Sequence, residues 1–205
     1  VDLGTNGIQY KKSGLPERKL LSLLAEKIAD NLIPYLDRPF ALIGLSMGTL
    51  LAFETIRVLR RRSVFQPVHL FLVSATAPQM PRAYPVLTHL PQEEFLEQVR
   101  YYFQPQEDAW ENPEMLELML PILRDDMACI ETYKYIDGPP LDCPIDVYVG
   151  NEDIGSPLAR VEAWQDQTIA EFNLTLFSGG HFFWHEELSA LQNKVRNRLM
   201  EYIKE

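Results

Sequence analysis

The feature that most narrows the fold is an alternation of two periodicities along the chain. Four short apolar runs, Phe40–Leu45, Val68–Ser74, Ile145–Val149 and Leu174–Phe177, are rich in Val, Ile, Leu, Phe or Tyr and bounded by turn residues, so each predicts a buried strand. Apolar residues at three- and four-residue spacing fill Leu15–Leu36, Thr49–Arg62, Ser156–Phe172 and Glu187–Ile203, which predicts helices. Strands that alternate with helices pair in parallel, and helices then cover both faces of the sheet. The expected class is α/β, with a mainly parallel sheet flanked by helices.

The middle of the chain breaks this rhythm. Between Pro78 and Pro140 no strand is predicted, and the helical candidates Pro91–Tyr102, Pro113–Leu120 and Ile122–Tyr135 are separated by prolines. A helical block of about sixty residues is too long for an ordinary crossover and reads as an insertion over one sheet edge. Ligands bind beyond the carboxyl ends of parallel strands, so an insertion there is expected to be a lid. The expected organisation is one domain over residues 1–205 with a lid at approximately 78–140.

The 205 residues, 46% hydrophobic, are enough for one sizeable core. Net charge is −10, from 19 basic and 29 acidic residues, and a field of that sign repels nucleic acid and anionic lipid. Neither is expected as a partner. No apolar run approaches the ~20 residues of a spanning helix, and the first residues carry no signal-peptide stretch, so the expected location is the cytoplasm. Cys129 and Cys143 have no Cys-x-x-Cys or Cys/His grouping around them and are expected to be buried free thiols. No metal or cofactor is expected.

Chemistry enters at Gly44-Leu45-Ser46-Met47-Gly48, which stands directly between a predicted strand and a predicted helix. A Gly-x-Ser-x-Gly in that context is a sharp turn that lifts the serine hydroxyl to the end of the sheet. The glycines are expected to remove side chains that would collide. The Met47 amide would open the helix, where an unpaired N–H and the helix dipole favour a developing oxyanion.

A serine needs a base, and the base needs an acid that holds its tautomer. His69 lies in a strand and His89 in the insertion, which leaves His181 and His185. His181 follows the last strand on the glycine turn Ser178-Gly179-Gly180 and is the expected base; His185 has no metal-ligand context and reads as a solvated histidine. Gly150-Asn151-Glu152-Asp153 ends the third strand, and Asp153 is the expected acid, with Glu152 its nearest rival.

These residues, with Leu36-Asp37-Arg38-Pro39-Phe40-Ala41, Leu51-Ala52-Phe53-Glu54, Glu131-Thr132-Tyr133, Pro140-Leu141-Asp142-Cys143-Pro144-Ile145 and Gly179-Gly180-His181-Phe182-Phe183, resemble the type II thioesterases of polyketide and nonribosomal peptide synthesis, within the α/β-hydrolase fold. The resemblance implies hydrolysis of acyl thioesters from the phosphopantetheine arm of an acyl or peptidyl carrier protein, with Ser46, Asp153 and His181 as the triad. Fused chain-terminating relatives often carry the acid after the preceding strand. Here that stretch is Ser74-Ala75-Thr76-Ala77-Pro78, which favours the discrete editing type.

Two features depart from the family. Leu45 stands where a histidine usually precedes the nucleophile, and nothing before Gly44 matches the aromatic-Ala-Gly-Gly loop that supplies the second oxyanion donor. The N-terminal strands are thus expected to be missing or divergent, and loss of one oxyanion donor typically costs ~10²–10³ in turnover. The acyl chain is expected under the lid, against Phe95, Val99, Met119 and Met127, with Tyr102, Phe103 and Met115 as further candidates. Arg57, Arg60, Arg61 and Arg62 read as a cationic helix end, or as a docking patch for an acidic carrier. The expected state is a monomer. A carboxylesterase or lipase, and a non-catalytic hydrolase-like binding protein, remain as alternative readings.

Overall fold

The structure is a computed structural model that describes residues 20–63, 66–105, 110 and 112–203. In order, the elements are α1 (Leu20–Leu32), β1 (Ala41–Leu45), α2 (Met47–Arg61), β2 (His69–Val73), α3 (Gln92–Phe103), α4 (Pro113–Thr132), β3 (Ile145–Gly150), α5 (Leu158–Val161), a 3-10 helix (Glu162–Gln167), β4 (Phe172–Phe177) and α6 (Leu188–Glu201). The four strands form one parallel sheet in the order β1-β2-β3-β4. Residues 15–19, the start of the first expected helix, lie outside the described residues.

The central strands β2 and β3 are buried along their whole length, as expected of unalternating Val, Ile, Leu and Phe runs covered on both faces. Leu70 and Leu72 pack with Phe53 and Ile56 of α2 and with Trp164 on one face. Phe71, Val73 and Tyr148 pack with Phe177, Phe183 and Leu191 on the other. The two periodicities therefore build two core layers on one sheet. At the amino edge of the sheet, His69 Nδ1 lies 2.8 Å from Tyr202 Oη and Arg198 Nε lies 3.4 Å from Asp146, which ties α6 to β2 and β3.

Two helix predictions are corrected. The candidates on either side of Pro121 are one helix, α4, with the proline inside. Proline removes only the bond to the carbonyl four residues back. Glu117 and Pro121 are both exposed, on the outer side of the helix. Leu116, Leu120, Leu123, Met127 and Ile130 form one stripe packed against Phe95, Val99 and Phe103 of α3, and this stripe crosses the proline and holds both halves in line.

The expected helix Ser156–Phe172 is shorter and broken: only α5 and the following 3-10 turn form, and β4 begins at Phe172. Tertiary anchors override the helical spacing. Trp164 is fully buried against Phe53 and donates its Nε1–H to Ala75 O at 3.0 Å, while Gln167 bonds Gln79 at 2.9 Å.

Candidate active site

The turn from β1 into α2 is as tight as the pentapeptide predicts. Ser46 adopts φ 50°, ψ −119°, a conformation L-residues rarely hold, and its N–H donates to Val73 O of the neighbouring strand at 2.8 Å. A methyl on Gly44 would stand 2.4 Å from Gly48 O and 2.6 Å from Thr49 Cα, so Gly44 is what lets the helix start against the strand. Gly48 corrects the expectation of symmetry, because a methyl there meets nothing within 4 Å among the described residues. Met47 N–H is the first amide of α2 and has no intrahelical acceptor.

His181 arrives from the other side of the sheet. Gly179 has φ 108°, and a methyl on Gly150 would stand 2.3 Å from the carbonyl oxygens of Gly179 and Gly180, so the loop lies directly on the end of β3. Glu152 N–H donates to Gly179 O at 2.9 Å, and Gly179 N–H donates to Asn151 Oδ1 at 3.1 Å. These bonds lock the histidine loop to the loop that carries Asp153.

The outcome is a connected series. Nδ1 of His181 lies 2.9 Å from Asp153 Oδ2, and Nε2 lies 2.9 Å from Ser46 Oγ, across 135 residues of chain. With the Nδ1 proton on the aspartate side, Nε2 is free to accept from the serine hydroxyl. Asp153 is buried, and its second oxygen accepts from Ser156 N–H at 3.0 Å, which fixes the carboxylate's direction. Glu152, the rival acid, is exposed. His69 and His185 stand elsewhere, the first at the start of β2 and the second on an exposed 3-10 turn.

Sequence reading missed two contacts that hold His181. Ser74, held at φ 52° after β2, donates its hydroxyl to His181 O at 2.9 Å. Phe103, at the end of α3, meets the imidazole edge to face, with ring centres 4.9 Å apart. A serine at a strand's carboxyl end beside the elbow strand was the available signal for the first; no local pattern marks the second.

Ser46, Met47 and His181 open onto a cavity of about 560 Å³. One wall comes from the chain just after β2, including Ala75, Ala77, Pro78 and Met80, and the opposite wall from Ile130, Glu131 and Tyr133 at the end of α4. This corrects the acyl-contact expectation. Phe95, Val99 and Met127 are buried in the core between α3 and α4, and Met115 and Met119 lie on the exposed side of α4. Of the acyl-contact candidates named from sequence, Phe103 alone lines the cavity. The buried stripe is consumed in holding α3 to α4.

The four arginines at the end of α2 are spent within the protein. Arg57 pairs with Glu54 at 2.8 Å and donates to Ile136 O; Arg60 donates to Pro139 O and Pro140 O; Arg61 and Arg62 pair with Glu26. Glu54 also accepts from Tyr133 Oη at 2.8 Å, so two of the motifs singled out in the sequence meet each other at the cavity wall. Burial, then the Glu54 charge, push the Tyr133 phenol well above its ordinary pKa, so it stays a hydrogen-bond donor. Burial likewise lifts the free thiols of Cys129 and Cys143 to about 12 and about 11, which makes them inert. Among the described residues no group of acids, histidines and cysteines is placed to hold a metal, and no helix is long and apolar enough to cross a membrane. The expectation about the first strand and its oxyanion loop falls on residues outside those described.

The thioesterase domain family matches residues 2–199. The chain is 36% identical over 186 residues to the linear gramicidin dehydrogenase LgrE of Brevibacillus parabrevis, covering 89% of this chain and 71% of that protein. It is 37% identical over 166 residues to the gramicidin S biosynthesis protein GrsT of Aneurinibacillus migulanus, covering 81% of this chain and 65% of that one. In three dimensions it superposes on the type II thioesterase BorB from the borrelidin biosynthetic cluster with a TM-score of 0.74 at 29% identity, covering 88% of this chain and 70% of BorB. The chain thus spans 65% to 71% of these proteins' lengths.

Proposed function

The chain belongs to the thioesterase domain family, and from that premise we propose that it hydrolyses acyl thioesters held on the phosphopantetheine arm of an acyl or peptidyl carrier protein, by a Ser46–His181–Asp153 triad. Its fold is of the α/β-hydrolase type found in its structural neighbours. The observation that carries the proposal is the unbroken hydrogen-bonded series from Asp153 to Ser46, ending at a cavity large enough for an acyl chain.

Each step follows from an atom already placed. His181 Nε2 takes the Ser46 proton as Oγ attacks the thioester carbonyl, and the imidazolium formed is stabilised by the buried Asp153 carboxylate. Negative charge on the carbonyl oxygen develops next to the Met47 amide at the positive end of α2. Collapse of the tetrahedral intermediate breaks the carbon–sulfur bond, and His181 returns the proton to the departing thiolate. Water, deprotonated by His181, then cleaves the acyl-serine and releases a carboxylic acid. The proposed setting is the cytoplasm, with the enzyme acting as a monomer on carriers of a polyketide or nonribosomal peptide pathway, as type II thioesterases such as BorB are placed in biosynthetic clusters.

The test is Ser46→Ala. The variant should keep its circular dichroism and melting temperature, while hydrolysis of acyl-pantetheine and acyl-carrier substrates falls by ~10³–10⁶-fold. A variant that hydrolyses either substrate at the parent rate overturns the mechanism.

A further inference from the structure

The wall of the cavity that leaves β2 is tied down along its length. Beyond the Ser74 and Ala75 bonds already described, Ala77 N–H donates to Arg160 O at 3.0 Å, Gln79 Nε2 donates to Ala163 O at 2.6 Å, and Arg160 Nη1 donates to Pro81 O at 2.8 Å. One group in this wall is left over. Arg82 lines the cavity, yet among the described residues its guanidinium makes no ion pair, hydrogen bond or ring contact.

The contrast with the other described arginines is complete. Arg38, Arg57, Arg60, Arg61, Arg62 and Arg198 hold carboxylates. Arg124 and Arg160 donate to carbonyls, Arg196 donates to Asn193, and Arg100 lies over the Trp110 ring. In a chain with 29 acidic and 19 basic residues, a cation without a partner is not explained by a shortage of acids.

The cavity's own carboxylate does not pair with Arg82. Glu131 is its one carboxylate, and both oxygens are occupied: Oε1 accepts from Leu87 N–H at 2.6 Å, and Oε2 accepts from Thr88 N–H at 3.4 Å and from the Thr88 hydroxyl. Tyr84, beside Arg82, is kept protonated by burial, which the arginine's charge only opposes, so the phenol is a donor and not a counter-ion. Ala77, Pro78, Met80 and Ile130 give the same cavity an apolar part, next to which a charge attracts an opposite charge with less screening than in water.

We propose that Arg82 is a specificity-determining residue that receives an anionic oxygen group of the thioester substrate. The guanidinium fork matches a carboxylate or a phosphate in bidentate geometry. Two parts of a carrier-bound substrate present that chemistry: a free carboxylate on the acyl group, as in the half-thioester of a dicarboxylic acid, and the phosphate of the arm. The inference rests on the thioesterase reading above and adds to it the charge of the substrate.

The experiment compares kcat/KM for three synthetic thioesters: a neutral acyl-pantetheine, a dicarboxylic half-thioester of pantetheine of matched length, and the neutral acyl-phosphopantetheine. Parent enzyme, Arg82→Met and Arg82→Lys are each assayed. In the parent, one anionic substrate is turned over more efficiently than the neutral one. In Arg82→Met the ratio of that anionic substrate to the neutral one falls at least tenfold, chiefly through KM. Arg82→Lys, which keeps the charge without the fork, loses less. A fall confined to the half-thioester assigns the acyl carboxylate, and one confined to the phosphopantetheine substrate assigns the arm. Ratios that change less than twofold in both variants overturn the inference while leaving the thioesterase reading intact. A parent enzyme that turns over none of the three overturns the thioesterase reading and this inference with it.

Discussion

Gly44 and Gly48 stand symmetrically about Ser46 in sequence and are opposite in space, which yields a prediction of sign. A methyl added at Gly44 arrives 2.4 Å from Gly48 O, 2.6 Å from Gly48 C and 2.6 Å from Thr49 Cα, all backbone atoms of the first turn of α2. None can swing aside as a flexible side chain would, so strand and helix must separate by about an ångström, an overpacking cost of ~1–3 kcal/mol or more. The same methyl at Gly48 meets nothing within 4 Å. There, inside a helix, alanine loses less backbone freedom on folding than glycine and gains up to ~1 kcal/mol. For a chain of this size each kcal/mol moves the melting temperature by ~2–4 °C. Gly44→Ala should melt at least ~4 °C below the parent and Gly48→Ala at or above it. Gly44→Ala, which moves the elbow, should also slow labelling of Ser46 by a fluorophosphonate probe at least tenfold. Differential scanning calorimetry and the labelling time course read both. A Gly48→Ala variant that loses as much stability as Gly44→Ala would refute the reading of this turn.

Two further outcomes follow from buried or half-buried charges. Glu54→Ala strands Arg57 and Tyr133, whose partner it is, and should cost ~3 kcal/mol, whereas Tyr133→Phe leaves the Glu54–Arg57 pair intact and should cost ~1 kcal/mol; thermal melts of the two single variants decide it. Asp126 is half-buried, and burial, then the adjacent Asp125, raise its carboxyl pKa to about 6. Below about pH 4 both folded and unfolded chains hold the proton; as pH rises the unfolded chain ionises first, so folding is disfavoured progressively up to about pH 6 and by a constant amount above it. Asp126→Asn should therefore be more stable than the parent at pH 8, by ~1 kcal/mol once solvent screening is allowed for, and no more stable at pH 4. A stabilisation of equal size at both pH values would contradict the assignment.

Much of the frame is legible in the sequence because the central strands are buried on both faces and need unbroken apolar runs. The edge strand β4 is longer than its apolar run: Phe172 and Asn173 already pair with Ile145 and Asp146, but Asn173, whose amide donates to Asp146 at 3.0 Å, looks like a turn residue in isolation. Ser46, His181 and Asp153 were proposed from the order of strands and glycine turns, since each sits where a strand ends, and the fold brings the three within hydrogen-bond distance of one another. The cavity wall was not, and the reason is physical. A helical block between two strands must first bury its own apolar stripe, so Phe95, Val99 and Met127 are consumed as core. The wall after β2 is Ala- and Pro-rich, with no period to read, and takes its shape from bonds to Trp164, Ala163 and Arg160, 79 to 89 residues away along the chain.

Those bonds have a consequence for how length is measured. The wall after β2 is fastened to the same sheet end that carries Ser46 and His181, through Ser74 to the histidine loop and through Ala75 to Trp164. The opposite wall belongs to the last turn of α4. Its Tyr133 is held in turn to Glu54 of α2, the helix that Ser46 opens, and Ile130 packs with Met47 and Leu50 of the same helix. Both walls of the chamber are therefore referred to the block that carries the reacting oxygen, and its width is set from that block on either side.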